Sequence, residues 1–231
     1  MAYPAEREGW QIIRHRAFDY ILRIPYPRDM VHMRKISPAA PRALVLAVLF
    51  FAAPLAPAQQ VWADEDRDWG VGPVMSLRQA PYSAPTPTSI PGARVARTLD
   101  MRELVGRQPP PILIDVAGGD GHLTVPGALW YPGAGRGANY LDIVQGALAE
   151  RLGELSGGDK SRPVAFFCVN AQCWLSYNAA LRAAALGYTA VYWYRGGTEA
   201  WREAGLPMAR ASKEGPATEG VVPPERRPPG N

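Results

Sequence analysis

The chain has 231 residues, with 25 Lys and Arg against 21 Asp and Glu, a formal net charge of +4 and two cysteines. Its basic excess sits at the front, where residues 1–58 hold 8 of the basic and 4 of the acidic groups; the remainder balances at 17 against 17 and offers no argument for nucleic-acid binding. His15 and His32 also fall in that stretch, so His122 stands alone beyond it, which excludes a histidine-rich metal site; no metal or other cofactor is expected.

In chain order, residues 1–32 mix Arg14, His15, Arg16 and Arg23 with scattered apolar groups, and read as an extended or wrongly assigned N-terminus rather than part of a fold. Residues 33–58 have the layout of a secretory signal peptide: Met33-Arg34-Lys35 and Arg42, the apolar block Ala43 to Ala56, then Ala56-Pro57-Ala58. Fourteen apolar residues broken by Pro54 fall short of the roughly 20 that cross a bilayer, so export is expected, with membrane contact only during export. Residues 59–91 are rich in Pro, Ala, Ser and Thr, densest at Ala84 to Pro91, and predict an extended arm acting as a tether, with Trp69, Val71, Val74 and Leu77 as groups able to dock.

Regular structure is expected over residues 92–208. Val95 to Arg97 predicts a short strand, and Thr98 a cap for a helix from Leu99 to Val105 that Pro109 to Pro111 closes. Ile112 to Val116 is a β-branched run bounded by Pro and Gly, the pattern of a strand buried on both faces in a parallel sheet. Ala128 to Tyr131 predicts a further strand, Tyr140 to Leu155 a helix with Leu141, Val144, Ala147, Leu148 and Leu152 at helical spacing, and Val164 to Phe167 another buried strand. A helix from Trp174 stopped by Gly187, a strand over Ala190 to Tyr194 and a helix from Thr198 to Ala204 complete an alternating series. That order predicts a small α/β domain with a mainly parallel sheet flanked by helices. Residues 209–231 are polar and Pro-rich, and predict a disordered tail.

Both cysteines lie at one turn. Val164-Ala-Phe-Phe delivers Cys168 at a strand end, and Val169, Asn170, Ala171 and Gln172 separate it from Cys173 and Trp174 at the start of the following helix. A thiol at such a turn faces unpaired backbone N–H groups and the positive end of the helix, which stabilise a thiolate.

At this point the residues resemble a known family. Leu113-Ile-Asp-Val116, Pro126-Gly-Ala128, the strand-end Cys168, Gly187-Tyr188, Val191-Tyr192, Gly196-Gly197, Ala200-Trp201 and Ala204-Gly-Leu-Pro207 together look like a rhodanese-like domain, over about residues 80–208. Within that superfamily, Gly133-Ala-Gly-Arg-Gly137, Gly157-Gly-Asp-Lys160, Cys173-Trp174, Ser176-Tyr-Asn-Ala-Ala180 and Tyr192-Trp-Tyr194 are similar to the secreted proteins called PQQ-dependent catabolism-associated CXXCW motif proteins. The resemblance implies a three-layer rhodanese fold, a periplasmic location, and association with alcohol oxidation by pyrroloquinoline quinone enzymes. It also implies a periplasmic quinoprotein dehydrogenase or its cytochrome as partner. Two departures bear on chemistry: four residues separate the cysteines, more than the family's name denotes, and the arginine usual in the rhodanese loop is missing.

Three chemistries remain open at Cys168 and Cys173. As a rhodanese nucleophile, Cys168 takes a sulfane sulfur from a small sulfur-containing donor as a persulfide, with Val169 to Gln172 offering backbone N–H donors. As a redox couple, the two thiols exchange with a thiol substrate, which requires Cα atoms within about 7 Å. As a permanent disulfide, they only pin the loop. A non-catalytic binding module serving the quinoprotein system is the alternative of a different class. Auxiliary candidates are Asp115, expected to be structural, and His122, a candidate base expected to be simply solvated. Trp174 and Asn178 are expected to pack and hydrogen-bond within the fold rather than hold a ligand.

Overall fold

The computed structural model describes residues 60–213 and 215–217. The expected leader at 33–58, the residues before it and the far end of the expected tail lie outside them. In chain order the elements are β1 (Arg94–Ala96), α1 (Thr98–Val105), β2 (Ile112–Asp115), β3 (Leu123–Thr124), β4 (Leu129–Trp130), α2 (Ile143–Ser156), β5 (Val164–Phe167), α3 (Trp174–Ala185), β6 (Val191–Tyr194), α4 (Gly197–Glu203) and β7 (Ala209–Arg210).

Five strands form one sheet in the order β1-β6-β5-β2-β4, and every pair in it is parallel. The central strands β2 and β5 are buried at all four positions each, which is why their sequences run apolar without alternation. Successive side chains still divide between the faces. Ile112, Ile114, Val164, Phe166, Cys168, Val191 and Trp193 pack with Leu148 and Leu152 of α2 and Tyr177 and Leu181 of α3. Leu113, Ala165, Phe167 and Tyr194 pack on the other face with Met101 and Leu104 of α1 and Ala200 and Trp201 of α4. The result is a three-layer α/β domain, with α2 and α3 on one side and α1 and α4 on the other.

Helix starts shift by a few residues from the sequence expectation, for local reasons. Thr98 is the first residue of α1 rather than its cap, because its hydroxyl and amide are taken by Glu65. Helix α2 starts at Ile143, where Asp142 accepts from the Gln145 amide at 3.0 Å, and not at Tyr140. A small antiparallel pair, β3 with β7, has too few residues to leave a periodicity in the sequence.

Two segments are ordered against expectation. The start of the tail is built into the domain: Ala211 donates to His122 O at 2.9 Å, Ala217 N to Ala128 O at 2.8 Å and Gly127 N to Ala217 O at 2.9 Å. Residues 60–91 likewise lie on the domain instead of trailing from it. Arg195, only 1% exposed, donates to the carbonyls of Asp64, Glu65, Arg67 and Thr86. Tyr177 and Asn178 of α3 each exchange hydrogen bonds with one arm residue, Val74 and Arg78 respectively. The arm is held through its backbone carbonyls and amides and also through apolar anchors: Leu77 and Ile90 are buried in the α2–α3 core and Val71 packs against it, so two of the groups named as able to dock, Val71 and Leu77, do so.

Candidate active site at the turn between β5 and α3

Cys168 follows β5 directly and is 4% exposed, with its side chain on the α2–α3 face. Its carbonyl accepts from Thr198 N at 3.0 Å, and the Val169 carbonyl from Glu199 N at 2.9 Å, so the start of α4 forms the floor of the turn. Gly197 makes that approach feasible: at φ +63°, a Cβ there would lie 2.4 Å from Cys168 O. The four loop residues then form a tight turn of their own. Asn170 Oδ1 accepts from Gln172 N at 3.0 Å, and Asn170 O from Cys173 N at 3.2 Å.

Cys168 and Cys173 are joined as a disulfide, with Cα atoms 6.2 Å apart. The distance requirement of the redox-couple reading is thus met. The turn uses up the four intervening residues before α3 begins, so that Cys173, not Cys168, occupies the N-cap of α3. The helix end that the sequence analysis set facing Cys168 thus has Cys173 directly at it. The helix starts at Trp174 as its sequence predicts, and that start places Cys173 next to the helix amides.

The arm covers the loop from outside. Ser83 bridges Cys173 in antiparallel fashion, Ala84 N donates to Gln172 O at 2.9 Å, and Trp174 N donates to Tyr82 O at 2.9 Å. Thr86 Oγ1 donates to Ala171 O at 2.5 Å and is itself bonded by Arg195 Nε at 3.1 Å. Trp174 is core, as expected, wedged between arm and helix: its Nε1 donates to Pro85 O at 3.0 Å, Tyr177 lies against it and Arg78 covers its ring. The amides of Gln172, Cys173 and Trp174 therefore already have acceptors inside the protein. An open anion cradle would need them free.

Beside the loop lies a cleft of about 310 Å³ lined by Ala63, Asp64, Asn170, Ala171, Gln172, Glu199 and Glu203. It carries three carboxylates, and among the described residues no Lys or Arg lines it. An anionic sulfur donor approaching there meets like charge.

Asp115 and His122 form a pair, but not with the cysteines. Asp115 sits opposite Phe167 in the sheet and so points to the α1–α4 face, away from Cys168. His122 is not merely solvated: its Nε2 lies 2.8 Å from Asp115 Oδ2 and its Nδ1 2.9 Å from Gly119 O, with the Trp130 ring edge-on at 5.2 Å. The hydrogen bond to Asp115 raises the His122 pKa above its ordinary value. Asn178 binds the arm and Gly135 O, a structural role as expected. Sequence reasoning missed Arg195, Glu65 and Thr86; the one signal was Arg195, a charged residue directly after the apolar β6 strand, while Glu65 and Thr86 lie in the arm with no pattern to mark them.

Residues 90–204 match the family model described as a rhodanese-like domain. The chain carries a rhodanese-like domain. Three solved structures are similar to it at low identity. A thiosulfate sulfurtransferase from Pseudomonas aeruginosa is 20% identical over 52% of this chain, with a TM-score of 0.40, and the match spans 21% of that protein's length. The rhodanese-like domain of an Anabaena sp. protein is 21% identical, covering 61% of this chain and 86% of its own, with a TM-score of 0.36. An As-Sb reductase from Leishmania major is 17% identical, covering 56% and 92%, with a TM-score of 0.39. These likenesses bring no activity to this chain. Comparison with curated proteins gives no match.

Proposed function

We propose that this rhodanese-like domain performs thiol chemistry at Cys168 and Cys173, as thiol–disulfide exchange with a thiol partner rather than sulfur transfer from thiosulfate. The observation that carries the reading is the Cys168–Cys173 bridge itself, formed across the turn where a rhodanese presents its nucleophile. A persulfide carrier needs a free Cys168 and open N–H donors; here the sulfur is bonded to its neighbour, three amides around the loop are engaged, and the adjoining cleft is acidic. The proposal extends to place. The leader-like residues 33–58 support export, and the resemblance around Gly133 to Gly137 and Cys173-Trp174 supports periplasmic service to a quinoprotein dehydrogenase or its cytochrome in PQQ-dependent alcohol catabolism.

A non-catalytic binding module is the second reading, favoured by one observation: the arm from Tyr82 to Thr86 lies across the loop. Native thiol titration separates the two. Purified full-length protein in dithiol redox buffers is expected to open its bridge while folded, expose both thiols and close again when the reductant is withdrawn. Thiosulfate with cyanide is expected to yield no thiocyanate. A bridge that opens only after denaturation would leave the binding module standing, and thiosulfate turnover would restore the sulfurtransferase reading.

A further inference from the structure

We infer that Cys173 is the sulfur through which partners enter and leave, and that Cys168 is the resolving thiol, the reverse of the order the rhodanese position of Cys168 suggests. The inference rests on the thiol–disulfide reading and assigns the roles within it.

Three observations on the turn point the same way. Cys173 is the N-cap residue of a helix of twelve residues, and its side chain makes no capping hydrogen bond in the bridged form. When the bridge opens, a thiolate there sits where an N-cap side chain accepts from the amides of the first helical turn, and the helix end favours negative charge. Cys168 has the opposite surroundings. It is almost fully buried, packed in the apolar cluster with Phe166, Trp174 and Trp193, whereas Cys173 is only partly buried at the rim of that cluster. Third, the Cys173 backbone is fixed independently of the sulfur: its amide donates to Asn170 O at 3.2 Å, and its carbonyl accepts from Ser176 Oγ at 3.1 Å. Ser176 Oγ in turn accepts from Trp193 Nε1 at 3.0 Å. Opening the bridge therefore leaves the cap position in place.

With a partner dithiol as reductant, the exchange balances as follows. One partner thiolate attacks Sγ of Cys173; the Cys168–Cys173 bond breaks, a mixed disulfide forms on Cys173, and Cys168 departs with the electron pair and takes up a proton. The second partner thiolate then attacks the partner's own sulfur in the mixed disulfide. Cys173 is expelled as the thiolate that the α3 amides stabilise, and the partner leaves as a disulfide. Two electrons have passed from the partner to the cysteine pair; of the two protons the partner thiols gave up on ionising, one is now on Cys168 and the other stays with the solvent while Cys173 remains a thiolate. In the reverse direction the buried Cys168, held close to Cys173 by the turn, resolves the mixed disulfide faster than a free thiol can.

The experiment uses unaltered full-length protein, reduced with dithiothreitol, freed of reductant and exposed to limiting iodoacetamide at pH 7. Peptide mapping is expected to find Cys173 labelled about tenfold ahead of Cys168. In a second arm, folded Cys168→Ser protein mixed with oxidised glutathione is expected to accumulate a stable adduct on Cys173, while Cys173→Ser forms its adduct on Cys168 about tenfold more slowly. Labelling led by Cys168, or faster adduct formation on Cys168, overturns the role assignment and leaves thiol–disulfide exchange intact. A bridge that dithiothreitol never opens in the folded protein overturns both.

Discussion

Gly197 is where one missing methyl group decides whether the cysteine turn can close. Its φ of +63° is a left-handed conformation, and a Cβ would sit 2.4 Å from Cys168 O and 2.7 Å from Val169 O, atoms of backbone that cannot swing away. Gly197→Ala should destabilise the domain by roughly 2–4 kcal/mol, the range for a strained conformation compounded by a steric clash. Urea denaturation checks this, and a loss below about 1 kcal/mol would mean the floor of the turn is softer than its contacts suggest. His122 makes a different residue-scale prediction. Its pKa in the fold is raised, first by the hydrogen bond to Asp115, above the ordinary 6.5. A raised histidine contributes stability that is fully present below pH 6.5 and is lost as pH rises through the folded value. Thermal unfolding between pH 5 and 8 should show that decline in the wild type and a flatter profile in His122→Gln. Equal slopes would remove the His122–Asp115 pair from the pH response.

At the scale of elements, the arm is held by polar side chains gripping its backbone alongside the buried Leu77 and Ile90, so its docking should weaken when the grip is removed. Arg195→Met strips donors from the carbonyls of Asp64, Glu65, Arg67 and Thr86 and should cost on the order of 3 kcal/mol. Hydrogen exchange should then quicken at Ala84 and Trp174, the two amides that tie arm to loop, before it quickens in β5. Uniform exchange across both would mean the arm and sheet open together. This is also where sequence legibility divides. The strands β2 and β5 and the helices α2 and α3 were readable because burial on both faces, or on one stripe, dictates their apolar spacing. The turn carrying Cys168 and Cys173 was readable for the same reason. Docking through Val71 and Leu77 was readable, but the grip of Arg195 on the arm and the strand β7 were not, because a backbone carbonyl taken up by Arg195 or a two-residue pairing leaves no pattern in the side chains that form it. The place of Cys173 directly before Trp174 was readable, whereas the Asn170 turn that brings it back to Cys168 was not, since it rests on backbone hydrogen bonds.

For the whole molecule, redox cycling requires that the fold survive opening of the bridge, and the size of the closed loop bears on that directly. The cysteines are only five positions apart, so in the chain-entropy account the bridge contributes about 2 kcal/mol, modest against the roughly 5–15 kcal/mol stability of a typical domain. The remaining structure is independent of it: the sheet pairs through β1, β6, β5, β2 and β4, and the turn keeps its hydrogen bonds from Thr198, Glu199 and Asn170. Reduction should therefore lower the free energy of unfolding by about 2 kcal/mol without changing the denaturant slope, because the same surface becomes exposed whether or not the bridge is closed. Paired urea curves with and without a phosphine reductant measure both quantities. If reduction alone unfolded the domain, the bridge would be a staple that the fold cannot release, and a cysteine pair that cannot open in the native state cannot exchange with any partner.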